Sequence, residues 1–222
     1  IDRGLVGSEM CIRDRGSCMI KSVYRGVKTS DGAGVSLTRI IGSPDINMFD
    51  PFLLLDEFGS DNPNDYIGGF PPHPHRGFET ITYMINGNFR HQDSAGNEGY
   101  LTDGGVQWMT AGKGVVHSEM PEQKEGLVRG FQLWLNLPKS KKMIDPYYHD
   151  IQAKEIPVVN IDGGIVKVIS GEFGGVSGPG KPHTGVKYLD IQKKKKGIFS
   201  LPIEKLWNLS LIHISEPTRP LS

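Results

Sequence analysis

Cysteine is nearly missing from this chain: only Cys11 and Cys18 occur in 222 residues. Two cysteines cannot build a disulfide scaffold, and none after position 18 can offer a thiolate to a metal. Charge of either sign is not in excess. Lys plus Arg is 25 and Asp plus Glu is 25, a formal net charge of zero. That argues against a protein held mainly on nucleic-acid phosphates or on anionic lipid. No apolar run approaches the ~20 residues of a membrane-spanning helix. Helical periodicity is scarce too. What the chain has is glycine, 29 of 222 residues and about twice the usual ~7% usage, with 15 prolines. Without low-complexity tracts, that composition points to many tight turns and an all-β fold.

The middle of the chain reads as short apolar runs between turn clusters. The pattern predicts strands over 22–26, 35–41, 52–58, 78–85, 99–109, 115–120, 128–137, 165–171, 186–192 and 198–201. Turn signals at this spacing favour a sandwich or barrel. Residues 138–155, with Pro138, Pro146 and a polar run, read as an inter-domain connector holding at most one short helical turn. The Lys193, Lys194, Lys195, Lys196 run reads as a solvated hairpin loop.

The two ends differ from the middle. VGSEMCIRDR at 6–15 and SLIHISEPTRP at 210–220 resemble peptides translated from sequencing-adapter DNA. The expectation is therefore that 1–18 and 209–222 are non-native tails without a fold, and that the native part runs from Met19 to Asn208.

Chemistry concentrates in two clusters, PHPHRGFE at 72–79 and GKGVVHSE at 112–119. Residues i and i+2 of a strand face the same way. His73 and His75 thus project together, as do His117 and Glu119. Two such pairs on neighbouring strands would converge as three imidazoles and one carboxylate, a set suited to Fe, Mn, Ni, Cu or Zn. Gly112 and Gly114 permit a tight turn just before His117. Glu79 shares the parity of His73 and His75, so it stands as an acid/base candidate or as a ligand in place of Glu119. His91 is expected to bond Asp93 or backbone. His149, His183 and His213 receive no role. Asp56 and Glu57 are adjacent in a strand and face opposite ways. Phe78, Trp108, Met109 and Phe131 are candidates for an apolar wall, with core packing as their ordinary use.

The motifs HPHRGFET at 73–80, HQDSAG at 91–96, QWMTAG at 107–112 and GVVHSE at 114–119 resemble the pirin family of the cupin superfamily. DPFLLLDEF at 50–58 and PKSKKM at 138–143 do so as well, and the match runs from about Met19 to Trp207. The resemblance implies two consecutive cupin (double-stranded β-helix, or jelly-roll) barrels with one metal, usually Fe(II), in the first. Its ligand pattern falls on His73, His75, His117 and Glu119. The general cupin pattern puts its glutamate ligand where Glu79 stands. The expected organisation is a metal-binding cupin over 19–137, the connector over 138–155, and an incomplete second cupin over 156–208.

Two functions follow from the resemblance. One is a quercetin 2,3-dioxygenase-like enzyme that opens a flavonol-like phenolic substrate with O2, with Glu119 or Glu79 taking the phenolic proton. The other is an iron-dependent module that docks a protein partner and co-regulates transcription. Neither involves direct nucleic-acid or membrane binding. The lack of an export signal makes a cytoplasmic location the expectation.

Overall fold

The computed structural model describes residues 7–14, 17–194, 199–203 and 207–212. Strands β1 (Gly7–Asp14) and β2 (Ser17–Arg25) come first. Ten follow in close succession: β3 (Val27–Asp31), β4 (Val35–Ile41), β5 (Phe52–Ser60), β6 (Phe70–His75), β7 (Phe78–Asn86), β8 (Phe89–Asp93), β9 (Glu98–Leu101), β10 (Val106–Thr110), β11 (Val115–Pro121) and β12 (Val128–Asn136). Then come β13 (Tyr147–Ile151), β14 (Val158–Ile161), β15 (Gly164–Ser170), β16 (Glu172–Phe173), β17 (Val176–Ser177), β18 (Tyr188–Lys193) and β19 (Leu209–Ile212). Helix is confined, among the described residues, to three short 3-10 turns. None is long or apolar enough to cross a membrane. The all-β expectation holds.

Two sheets build the barrel. One has seven strands in the order β13-β10-β7-β12-β5-β4-β3, and the other has four in the order β6-β11-β8-β9. Their strand pairs are antiparallel, as in β10–β7 and β11–β8. Val35, Leu37, Phe58, Met84 and Val128 of the larger sheet pack with Phe89 and Leu101 of the smaller one. Those side chains close one end of the space between the sheets. Burying each stabilises the barrel by roughly 1.5–3 kcal/mol.

The larger sheet has a second apolar face. Ile81, Tyr83, Trp108, Phe131 and Leu133 point away from the barrel and pack on Ile156, Ile169 and Val186 of the later segment. A three-stranded sheet, β14-β15-β18, forms in that segment. The seven-stranded sheet is therefore covered on both sides, which is why its central strands read as nearly continuous apolar runs.

Several elements differ from the sequence pattern. The run over 99–109 is two strands, because Gly104 adopts φ 76° and turns the chain between β9 and β10. β6 contains Pro71, Pro72 and Pro74, and it sits at the edge of its sheet, where missing N–H donors cost no ladder bond. The stretch read as a connector contains two 3-10 turns (Lys139–Lys141 and Ala153–Glu155) with β13 between them, which pairs with β10. The stretches expected to lack a fold supply β1 and β19, in a three-stranded sheet of order β19-β1-β2. Ile198, Lys195, Lys196 and His213 lie outside the described residues.

Candidate metal centre

Antiparallel pairing of β6 and β11 puts His73 opposite His117 and His75 opposite Val115. All three rings project into the barrel from this sheet. Ring centroids are 4.7 Å apart for His73–His75, 4.5 Å for His73–His117 and 4.8 Å for His75–His117. One nitrogen from each ring lies within 4.8 Å of the others. Gly77 (φ 81°) and Gly112 (φ 50°) lie at the ends of the two strands, and the Gly77 N–H donates to Gly112 O at 2.8 Å. This clasp fixes the register that brings the imidazoles together.

The donor chemistry fits a metal. His73 Nδ1 lies 2.7 Å from Pro71 O, and a carbonyl can only accept, so Nδ1 carries a proton and Nε2 is the nitrogen that can ligate. His75 Nε2 and His117 Nε2 are buried without a hydrogen-bond partner. Burial, and then the neighbouring His117 and His73, push the His75 pKa down to about 3. Burial, followed by His73 and His91, likewise brings His117 down to about 3. Both rings are thus neutral at physiological pH, the form that ligates. Two buried neutral imidazoles with unmatched lone pairs are costly in a sealed protein and are relieved by a cation, with His73 beside them as a third donor.

Glu119 follows His117 by two residues and is 4% exposed. Its Oε1 accepts from Thr82 Oγ1 at 2.9 Å and from Gln107 Nε2 at 3.1 Å. Among the described residues no donor is assigned to Oε2. The sequence pattern did not single out Thr82 or Gln107. Their signal was polar side chains inside apolar strands, β7 and β10, on the face opposite the outer core.

Glu79 is not brought to this cluster. Its Oε1 accepts from Thr110 Oγ1 at 2.8 Å and Trp108 Nε1 at 3.4 Å, and its Oε2 accepts from the His183 N–H at 3.2 Å. Those partners lie on the other face of the seven-stranded sheet. The turn at Gly77 ends β6 and starts β7, so the parity shared by His73 and His75 stops there. Burial raises the Glu79 pKa, opposed by the bonds from Thr110 and Trp108. The acid/base expectation for Glu79 therefore finds no geometry to support it.

The expected wall is split in the same way. Phe78 lies 5.1 Å from His75 and 4.7 Å from Trp134, centroid to centroid. Met109 packs with Ala111 and Val115, with Tyr148 against them. Trp108 and Phe131 belong to the outer core. Trp134, 5.1 Å from His75, was missed, although it shares its face of β12 with Gln132.

Two packed antiparallel sheets with histidines converging from the smaller one place the protein among the cupin barrels. The comparison with known proteins is narrower. The Pirin family model matches residues 34–135. A pirin-like protein of Caulobacter vibrioides is 52% identical over 187 residues, spanning 83% of this chain and 68% of that protein. Rat pirin is 44% identical over 187 residues, spanning 84% of this chain and 62% of that protein. This chain belongs to the pirin family. Among solved structures, a quercetin 2,3-dioxygenase from Acinetobacter baumannii is 31% identical with a TM-score of 0.68, covering 85% of this chain and 64% of that one. GK1651 from Geobacillus kaustophilus is 34% identical with a TM-score of 0.66, covering 83% and 68%. The chain thus spans about two thirds of the length of these relatives.

Proposed function

We propose that this chain is the metal-binding portion of a pirin-type dioxygenase that cleaves flavonol-like phenols with O2. His73, His75, His117 and Glu119 are the proposed ligands, and Fe(II) is the proposed metal, with Mn, Ni, Cu or Zn as alternatives. The observation that carries this reading is the pair of buried, unpartnered Nε2 atoms on His75 and His117 beside His73. A bound iron ion supplies Lewis acidity toward a phenolic oxygen and redox access to O2.

The chain's own residues do the rest. Thr82 and Gln107 fix Glu119 through Oε1, leaving Oε2 to take a phenolic proton. Phe78 and Trp134, tilted 33° to each other beside His75, offer an aromatic wall to a planar ring. Glu79 has no part in this chemistry. The name of the Acinetobacter relative supports the substrate class. The test is to load the purified protein with Fe(II) under air, add quercetin, and follow the flavonol absorbance together with carbon monoxide release. The expectation is turnover that stops in His117→Ala. Quercetin left intact by iron-loaded protein sinks the enzyme reading.

A further inference from the structure

His91 is 1% exposed and stands opposite Glu119 in the β8–β11 register, with Asp93 opposite His117. We infer that His91 is a positioning residue that fixes the tautomer of His117, so that His117 turns its Nε2 lone pair into the triad. The inference rests on reading that triad as a metal site.

The direction of each hydrogen bond can be worked out in order. Gln107 Nε2 is 3.1 Å from Glu119 Oε1 and 3.2 Å from His91 Nδ1. Turning the amide round would set its oxygen against the Glu119 carboxylate, two acceptors face to face. The nitrogen therefore faces both groups. An amide nitrogen only donates, so His91 Nδ1 must accept. The proton of the neutral ring then sits on Nε2, which donates to Asp93 Oδ2 at 3.1 Å. His117 Nδ1 lies 3.4 Å from the same His91 Nδ1. His91 Nδ1 carries one lone pair and no proton, so, in a three-centre bond shared with Gln107, the second and longer donor to that lone pair is His117 Nδ1. Its own lone pair is left on Nε2, the buried atom without a partner.

The rest of the surroundings hold His91 in this role. Asp93 Oδ1 accepts from the Ala95 and Asn97 backbone N–H groups at 2.9 and 3.0 Å, and its Oδ2 from Asn97 Nδ2 at 2.9 Å. Its carboxylate therefore cannot swing away from His91. Tyr148 stacks on the imidazole at 4.2 Å with planes 12° apart. A histidine serving only as core filler needs neither a clamped carboxylate nor an acceptor turned toward a second imidazole. Partners of this kind orient metal-binding histidines, and losing them typically costs 10–100-fold in metal affinity.

The test uses His91→Phe, which keeps the flat ring and the stacking but removes the acceptor. The companion is His91→Asn, whose amide oxygen can take the place of Nδ1. Two readouts are needed: Zn(II) affinity by competition with a chromophoric chelator, and 15N NMR of the His117 ring in metal-free protein. The wild type should show His117 protonated on Nδ1. H91F should show mixed tautomers and bind Zn(II) 10–100-fold more weakly, and H91N should recover most of that loss. Zn(II) affinity within threefold of wild type in folded H91F, with an unchanged tautomer, overturns the inference. If H91F does not fold, the wild-type spectrum and H91N decide: His117 protonated on Nε2, or an H91N protein as weak as a His117→Ala control, overturns it. A wild type with the expected tautomer that binds none of Zn(II), Fe(II), Mn(II), Ni(II) and Cu(II) refutes the metal reading instead and leaves the hydrogen-bond order standing.

Discussion

The Tyr83 hydroxyl donates to Asp190 Oδ2 across 2.7 Å, joining residues 107 positions apart. Lys167 Nζ approaches the same hydroxyl at 3.3 Å and Asp190 at 3.7 Å. This contact fastens β18 and β15 to the outer face of the barrel sheet. Tyr83→Phe keeps the ring in the core but removes the bond. We expect a loss of about 1–2 kcal/mol, read as a lower urea midpoint with an unchanged m-value. A midpoint equal to wild type would show that the outer segment is held by apolar packing alone.

Acid stability follows from the two buried imidazoles. His75 and His117 have folded-state pKa values of about 3, below the ordinary histidine value of 6.5. Between those limits the unfolded chain binds protons that the folded chain refuses. Their contribution is fully present above pH 6.5 and is lost as pH falls toward 3, so stability of metal-free protein should drop across that window. His75→Gln should flatten the slope in urea titrations at stepped pH. An identical slope in both proteins would assign the acid sensitivity elsewhere.

Metal should stabilise the protein through the triad. At a free metal concentration 100 times Kd, linkage adds about 2.7 kcal/mol to unfolding. His73, the least buried of the three, is the best position to test it. His73→Ala should unfold near the wild-type midpoint in chelator and lose most of the metal-dependent increase. Chemical denaturation with and without Zn(II) measures both, and a full increase in the variant would remove His73 from the ligand set.

The turn before His117 tolerates no side chain at one position. Gly112 has φ 50°, and a Cβ there would sit 2.1 Å from Ile144 O. Lys113 N–H donates to that same carbonyl at 2.8 Å, so the backbone has little room to withdraw. Gly112→Ala should cost at least the ~1–3 kcal/mol typical of a strained backbone position, and should weaken metal binding by shifting β11. Thermal unfolding and metal competition on the same preparation check both effects. An unaltered melting temperature would mean that the loop carrying Ile144 yields freely.

Much of the site was legible because strand parity is a local property. The i, i+2 spacing of His73 with His75, and of His117 with Glu119, needs only an extended backbone to put each pair on one face. The same rule failed at Glu79, since parity carries no information across the turn at Gly77. It also gave no reason to look at His91. That residue reaches His117 through the β8–β11 register, and its Asp93 partner was the only local hint. β6 was hard to see as a strand because three prolines deny it donors, a composition tolerated only at a sheet edge.

The sequence by itself determined the all-β class, most of the turns and the pairing of His73 with His75 and of His117 with Glu119 on one strand face each, because glycine placement and two-residue periodicity act within a few positions. Which carboxylate faces the histidines, which aromatic rings line the site and which imidazole orients His117 were decided only by tertiary structure. Each depends on strand order and register between segments far apart in the chain. Glu79 and Glu119 look equivalent along the sequence; the seven-stranded sheet separates them by turning one outward to the His183 backbone and the other inward to Gln107.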